Sequence, residues 1–114
     1  RSGEVAKLMN DAGLICIGAF VAPSEEVRQR AAHVIGPERF LVVHLSAPVE
    51  VCRQRDQGGQ YAKADNGEIA SFPGVSSPYE PPRMPDLVLP THELSVEECV
   101  DRIVEMLRQK NVIR

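Results

Sequence analysis

The chain has 114 residues, of which 43% are hydrophobic and only 4% aromatic, and its formal net charge is −3. This length and hydrophobic content indicate one domain or part of one, and they exclude a wholly disordered chain. The acidic balance and the scarcity of aromatic rings argue against nucleic-acid binding, and no apolar run is long enough to span a bilayer.

The three cysteines lie far apart, at Cys16, Cys52 and Cys99, and each falls in an apolar segment. This pattern predicts buried free thiols in a reducing cytoplasm rather than a disulfide. No Cys or Cys/His spacing is typical of a zinc site, so the sequence predicts no metal ligands here.

The first part of the chain alternates between helix and strand patterns. Apolar residues at helical spacing predict a helix over residues 3–12. The nearly continuous apolar run at 14–21 predicts a strand buried on both faces, as in parallel sheets. Ser24 is a suitable N-cap for a following helix, because Glu25 and Glu26 in its first turn complement the helix dipole.

The remaining elements continue the alternation. A second buried strand is predicted at 40–45, a short helix after Pro48, and a third strand at 86–89. Ser95 and Glu98 have the spacing of a capping box for a final helix. The residues predicted to be buried on that helix are Cys99, Val100, Ile103, Val104 and Leu107. The order of elements predicts an α/β fold with a parallel sheet and helices on both faces.

Residues 57–80 form a long polar connection that contains glycine and proline. Connections of this length in packed domains usually have a function, and this one predicts a mobile flap over a ligand site. Ligands of parallel sheets bind at the carboxyl ends of the strands, where the residues after positions 21 and 46 lie.

Five stretches in register resemble adenylylsulfate kinase (APS kinase). They are residues 3–8 (GEVAKL), 11–17 (DAGLICI), 20–23 (FVAP), 52–56 (CRQRD) and 78–82 (PYEPP). The resemblance implies a P-loop kinase-like, three-layer α/β/α fold with a parallel sheet. It implies that residues 1–114 are the C-terminal portion of such a domain, with a lid at about 57–80.

The resemblance also implies an activity. Enzymes of this family transfer the γ-phosphate of ATP to the 3′-hydroxyl of adenosine 5′-phosphosulfate (APS) and make PAPS for cytoplasmic sulfate assimilation. The family's P-loop, GxxxxGKS/T, is absent from these 114 residues. ATP and Mg²⁺ would therefore be held mainly by residues outside this chain, no catalytic residue is assigned within it, and the chain alone is predicted to be inactive. The family also implies a homodimer and fusion or association with ATP sulfurylase.

Candidate substrate-binding residues follow from the same resemblance. Val21 and Ala22 align with the strand end beside the substrate, and Lys63, Ser71 and Phe72 align with the lid. Taken on residues alone, Lys63 could be an ordinary solvated lysine and Phe72 could anchor the loop to the body. Ala22 replaces a family serine that is proposed as a phosphorylated intermediate in some members, which excludes a covalent mechanism through this position.

Candidate ATP-binding residues are Arg55, Leu94 and Cys99, which align with positions around the adenine of ATP. A planar guanidinium suits stacking on a base. The alternatives are an exposed helix-end cation for Arg55, a cap contact for Leu94 and a core residue for Cys99.

Departures from the family pattern leave a second function open. One lid cation is replaced at Gly58, and a family arginine becomes Asp65. These changes favour a catalytically silent APS-kinase-like domain that binds a nucleotide for regulation. The presence of Arg55, Lys63 and Phe72 favours the kinase instead. A pure dimerisation module would leave the flap unexplained.

Overall fold

Two short strands form a parallel sheet in the computed structural model, which describes all 114 residues. Strand β1 covers Val43–Ser46 and strand β2 covers Leu87–Pro90, with Val43 opposite Leu87 and Ser46 opposite Pro90. The predicted α/β class and parallel pairing are confirmed. Strand β1 begins later than the predicted 40–45, and β2 lies one residue beyond the predicted 86–89.

The chain also forms five α-helices. They are α1 (Ser2–Asp11), α2 (Glu25–Ile35), α3 (Val49–Arg55), α4 (Gln60–Asp65) and α5 (Val96–Gln109). A single 3₁₀ turn, Pro37–Arg39, follows α2. Helices α1 and α2 pack against each other, and α5 packs against β2. None of these helices is both long and apolar enough to cross a bilayer.

The two predicted helix caps are present. The Ser24 hydroxyl accepts a hydrogen bond from the Val27 amide at 3.2 Å and caps α2. At the start of α5, the Ser95 hydroxyl accepts from the Glu98 amide, and the Glu98 carboxylate accepts from the Ser95 amide. Both caps satisfy amides that have no partner inside the helix, which explains where these helices begin.

The buried face of α5 differs in part from the prediction. Met106 is buried although it was not predicted to be, and Val100 is 49% exposed although it was predicted to be buried. Cys99, Ile103 and Met106 follow the helical period and share one face. Val100 lies beside that face, at the wall of an open pocket, and this position leaves it accessible.

The prediction of a buried strand at 14–21 is wrong. This segment has no regular secondary structure, and its large side chains are exposed, Ile17 at 91% and Phe20 at 68%. A buried strand needs neighbouring strands on both sides, and residues 15–21 make no backbone hydrogen bond to another segment. Cys16 is exposed for the same reason, and Cys52 and Cys99 are only partly buried, so the expectation of three buried thiols is also wrong.

Candidate functional site

The carboxyl ends of both strands open into one pocket of about 420 Å³. Leu45 of β1 and Leu89 of β2 form its base, and α5 supplies the opposite wall with Cys99 and Ile103. This volume falls within the range of small-molecule sites, and parallel sheets bind ligands at this end of their strands. The walls are mainly apolar, and the few polar groups lie at the rim.

The three residues predicted to surround an ATP base, Arg55, Leu94 and Cys99, all line this pocket. Arg55 is the last residue of α3, but its Nη2 donates a hydrogen bond across the pocket rim to the Thr91 carbonyl at 3.0 Å. The guanidinium is therefore held over the opening and does not cap its own helix. An apolar slot with a planar cation at its rim can accept the flat face of an aromatic base.

The predicted substrate-edge residues, Val21 and Ala22, form a turn before α2. The Val21 side chain is 63% exposed, and Ala22 has a φ of +41°. A positive φ is unfavourable for alanine because its Cβ crowds the backbone, so neighbouring contacts must hold this conformation. The Ala22 carbonyl accepts a hydrogen bond from Arg28 Nη1 at 2.5 Å.

Arg28, on α2, is buried, although its charge and helical position do not predict burial. Its guanidinium also donates to the Glu80 carbonyl and to the Glu25 carboxylate. The hydrogen bond from Arg28, followed by one from Gln29, lowers the pKa of Glu25. The i,i+3 spacing of Glu25 and Arg28 is a usable sequence signal for their ion pair, but nothing local indicates the contact with residue 80.

Residues 57–80 carry a short helix and an aromatic contact. They contain α4, which buries Ala64, and the Tyr61 and Phe72 rings lie edge to face with centroids 4.8 Å apart. Burial against this cluster, and then the nearby Cys52 thiol, raise the pKa of Tyr61. Lys63 and Ser71 are exposed, while Phe72 is half-buried. That this segment is a mobile lid over a ligand site stays a prediction.

Arg53 of α3 contacts both Asp65 and the Tyr61 ring of the 57–80 segment. Arg53 forms an ion pair with Asp65, and its guanidinium carbon lies 5.5 Å from the Tyr61 ring centroid. The hydrogen bond to Asp65 raises the pKa of Arg53. Asp65, which departs from the family pattern, thus has a local partner that balances its charge.

The predicted substrate residues fall into two groups. Val21 and Ala22 lie at the turn before α2, whereas Lys63, Ser71 and Phe72 lie on the 57–80 segment, and no hydrogen bond or ion pair joins the groups. The end of the segment does reach the turn, because the Glu80 amide donates to the Pro23 carbonyl at 2.8 Å. No three carboxylate, imidazole or thiol groups lie close enough together to hold a metal ion.

Comparison with known proteins gives a consistent result. The family model described as adenylylsulphate kinase matches residues 1–90. The chain is 48% identical over 110 residues to the adenylyl-sulfate kinase of Bacteroides thetaiotaomicron, covering 96% of this chain and 55% of that protein. It is 51% identical over its full length to the bifunctional enzyme CysN/CysC of Rhodopirellula baltica, where it covers 18% of the relative.

A solved structure supports the same fold. The Mycobacterium tuberculosis APS kinase CysC, determined in complex with AMPPNP and APS, superposes with a TM-score of 0.88 at 34% sequence identity, covering 93% of this chain and 62% of that one. The P-loop kinase-like fold predicted from the resemblance is confirmed. The chain spans about half the length of single-activity relatives such as the Bacteroides kinase. It belongs to the adenylylsulfate kinase family.

Proposed function

We propose that the protein is an adenylylsulfate kinase, which transfers the γ-phosphate of ATP to the 3′-hydroxyl of APS and produces PAPS and ADP. The observation that carries this proposal is the convergence of Arg55, Leu94 and Cys99 on one pocket at the carboxyl ends of the strands. The Mycobacterium relative was solved with an ATP analogue and APS together, which supports the same pair of ligands for this protein.

The residues of this chain would bind and orient the two ligands. Arg55, Leu94 and Cys99 would hold the ATP base, while Val21, Ala22, Lys63, Ser71 and Phe72 would contact APS. Ala22 carries no hydroxyl, so transfer would proceed directly from ATP to APS without a phosphorylated residue at this position. The direct test is PAPS formation by the full-length protein from ATP and APS, and absence of PAPS would overturn the proposal.

A second candidate, a silent nucleotide-binding regulator, is favoured by the replacements at Gly58 and Asp65. The ion pair between Asp65 and Arg53 weakens this alternative, because the acid is neutralised before it can repel a phosphate or sulfate. A protein that binds ATP but forms no PAPS would support the regulator.

Further parts of the proposal concern partners and compartment. Mg²⁺ would be held mainly by residues outside these 114. We propose association or fusion with ATP sulfurylase, since the Rhodopirellula relative is a bifunctional enzyme of which this chain matches only a part. A homodimer and a cytoplasmic location complete the proposal, and the three free cysteines suit a reducing compartment.

We expect Arg55→Ala to weaken ATP binding by the full-length protein roughly two- to thirty-fold, which corresponds to about 0.5–2 kcal/mol for a guanidinium on an aromatic face. APS binding should change much less, because Arg55 lies at the apolar pocket and not at the turn before α2. Calorimetric titration with each ligand measures both effects.

The matched control for Arg55→Ala is Gln54→Ala, an exposed position on the same helix. This variant should leave both affinities unchanged. Equal weakening of ATP and APS by Arg55→Ala, or no weakening of either, would contradict its assignment to the ATP base.

We also expect residues 66–80 to become more ordered when ADP and APS bind together. This part of the 57–80 segment lies beyond α4, consists of turns, and is tied mainly to itself through the Phe72–Ser77 turn. Amide hydrogen exchange in the full-length protein should slow by about tenfold or more there. The amides of α1, which carries no proposed ligand residue, should not change and provide the internal control. Unchanged protection of 66–80 would rule out a closing lid.

A further inference from the structure

The Arg28 guanidinium joins three separate pieces of backbone or side chain. Nη1 donates to the Ala22 carbonyl at 2.5 Å, and Nη2 donates to the Glu80 carbonyl at 2.6 Å and to Glu25 Oε2 at 2.8 Å. Nε adds a longer bond to the same Glu25 oxygen at 3.3 Å. Only a planar group with several fixed donors can make these contacts at once.

This residue is distinct from the other arginine on the same helix. The Arg28 side chain is 8% exposed, while Arg30 is 71% exposed and pairs only with Glu26 on its own helix. An exposed i,i+4 pair contributes little to structure. A buried guanidinium that bonds to two main-chain carbonyls leaves those carbonyls without partners when it is removed.

The two carbonyls belong to parts of the chain that are far apart in sequence but adjacent in the proposed APS site. Ala22 holds the unfavourable positive φ at the substrate-edge turn, and Glu80 ends the 57–80 segment. The Glu80 amide also donates a hydrogen bond to the Pro23 carbonyl, so the main chain at residue 80 is bonded directly to the turn at 22–23.

We propose that Arg28 is a positioning residue for APS, which fixes the Ala22 turn in its left-handed conformation and fastens the end of the 57–80 segment to it. This inference rests on the proposed kinase function. Arg28 touches neither ligand in this scheme. It holds the main chain at Ala22, beside one group of proposed APS-binding residues. It also fixes the end of the 57–80 segment, which carries the other group, at Glu80.

The test is steady-state kinetics of the full-length protein with the variants Arg28→Met, Arg28→Lys and Arg30→Met. Arg28→Met should raise KM for APS by about tenfold or more, because small misplacements of binding groups have large effects on substrate positioning. KM for ATP should change less than about twofold, since the Arg55 pocket is built from other elements. Arg28→Lys should give an intermediate KM for APS, because one ammonium cannot replace the planar fork. Arg30→Met should behave as wild type.

A purely structural role predicts something different. It would lower the thermal midpoint and leave both KM values unchanged in the folded fraction, and that result would overturn the inference. Arg28→Lys keeps the charge and serves as the decisive variant if Arg28→Met does not fold. Amide exchange at Glu80 gives a readout independent of turnover, and it should become faster in both Arg28 variants. Unchanged exchange at Glu80 would also contradict the inference.

PAPS formation by the variants distinguishes an error in the kinase assignment from an error in the role of Arg28. If wild type and Arg30→Met form no PAPS, the kinase assignment fails. If both form PAPS and the Arg28 variants keep the wild-type KM for APS, only the role of Arg28 fails.

Discussion

Residues 1–114 alone are expected to form no detectable PAPS from ATP and APS, whereas the full-length protein is expected to do so. Transfer of a γ-phosphoryl group needs backbone amides and a lysine around the phosphates, together with a bound cation. The sequence contains no GxxxxGKS/T motif that could provide these groups. The pocket beside Arg55 can accept a base, but its walls are mainly apolar.

The N-termini of the two capped helices, α2 and α5, do not replace the missing motif. Helix α2 begins with the Ser24 cap and carries Glu25 and Glu26 in its first turn, and α5 begins with the closed Ser95–Glu98 capping box. Side chains or carboxylates therefore already occupy the positions where a phosphate would bind a free helix N-terminus. These two helices should not compensate for the absent P-loop.

The measurement compares PAPS formation by purified residues 1–114 and by the full-length protein under the same conditions. Circular dichroism of the shorter protein should first establish that its helices are formed. A base-binding pocket without a phosphate cradle predicts weak nucleotide binding without turnover. Turnover by residues 1–114 comparable to that of the full-length protein would contradict the argument.

Local features of the fold could be predicted from the sequence, because their causes lie within a few residues. The caps at Ser24 and Ser95 depend on side chains that bond to amides three positions later, and both are present. The parallel pairing of β1 and β2 could also be predicted, because a long connection that contains helix separates two apolar segments of one sheet. Only the family resemblance predicts that Arg55, Leu94 and Cys99 lie around one ligand, because no local sequence pattern links α3 to α5.

Features that depend on distant partners could not be predicted. The 14–21 segment has the composition of a buried strand, but composition does not reveal whether neighbouring strands are present. The burial of Arg28 depends on carbonyls at positions 22 and 80, of which the second is far away in sequence. The anchoring of residues 57–80 similarly depends on Arg53 and on the contact between Tyr61 and Phe72.

Phe72→Ala is expected to weaken APS binding by about tenfold or more, because stacking of a base on an aromatic ring contributes roughly 1–3 kcal/mol. Phe72 is only half-buried, and its ring contacts Tyr61 edge to face, so part of the residue stays accessible to a ligand. The turn around it is held by its backbone, since the Phe72 amide donates to the Ser76 hydroxyl at 2.7 Å. The backbone turn can therefore persist when the ring is removed.

The contact with Tyr61 also predicts a modest loss of stability in Phe72→Ala. An aromatic pair contributes about 0.5–1.5 kcal/mol beyond its buried area, so the thermal midpoint should fall slightly. Tyr61→Ala is the matched control, because it removes the same aromatic pair but leaves Phe72 in place. Tyr61→Ala also removes the contact with Arg53, so it should lower the midpoint at least as much as Phe72→Ala. If Phe72 acts only by anchoring the segment, Phe72→Ala should weaken APS binding no more than Tyr61→Ala does.

Contact with the substrate predicts an unequal result in the full-length protein. Tyr61→Ala should lower the thermal midpoint at least as much as Phe72→Ala, but Phe72→Ala should weaken APS binding several-fold more, because only Phe72 would offer its ring to the base. Calorimetric titration with APS and a thermal melt on each variant measure the two effects separately. A lower midpoint for Phe72→Ala with wild-type APS affinity would assign the ring to anchoring alone, through contacts such as that with Tyr61.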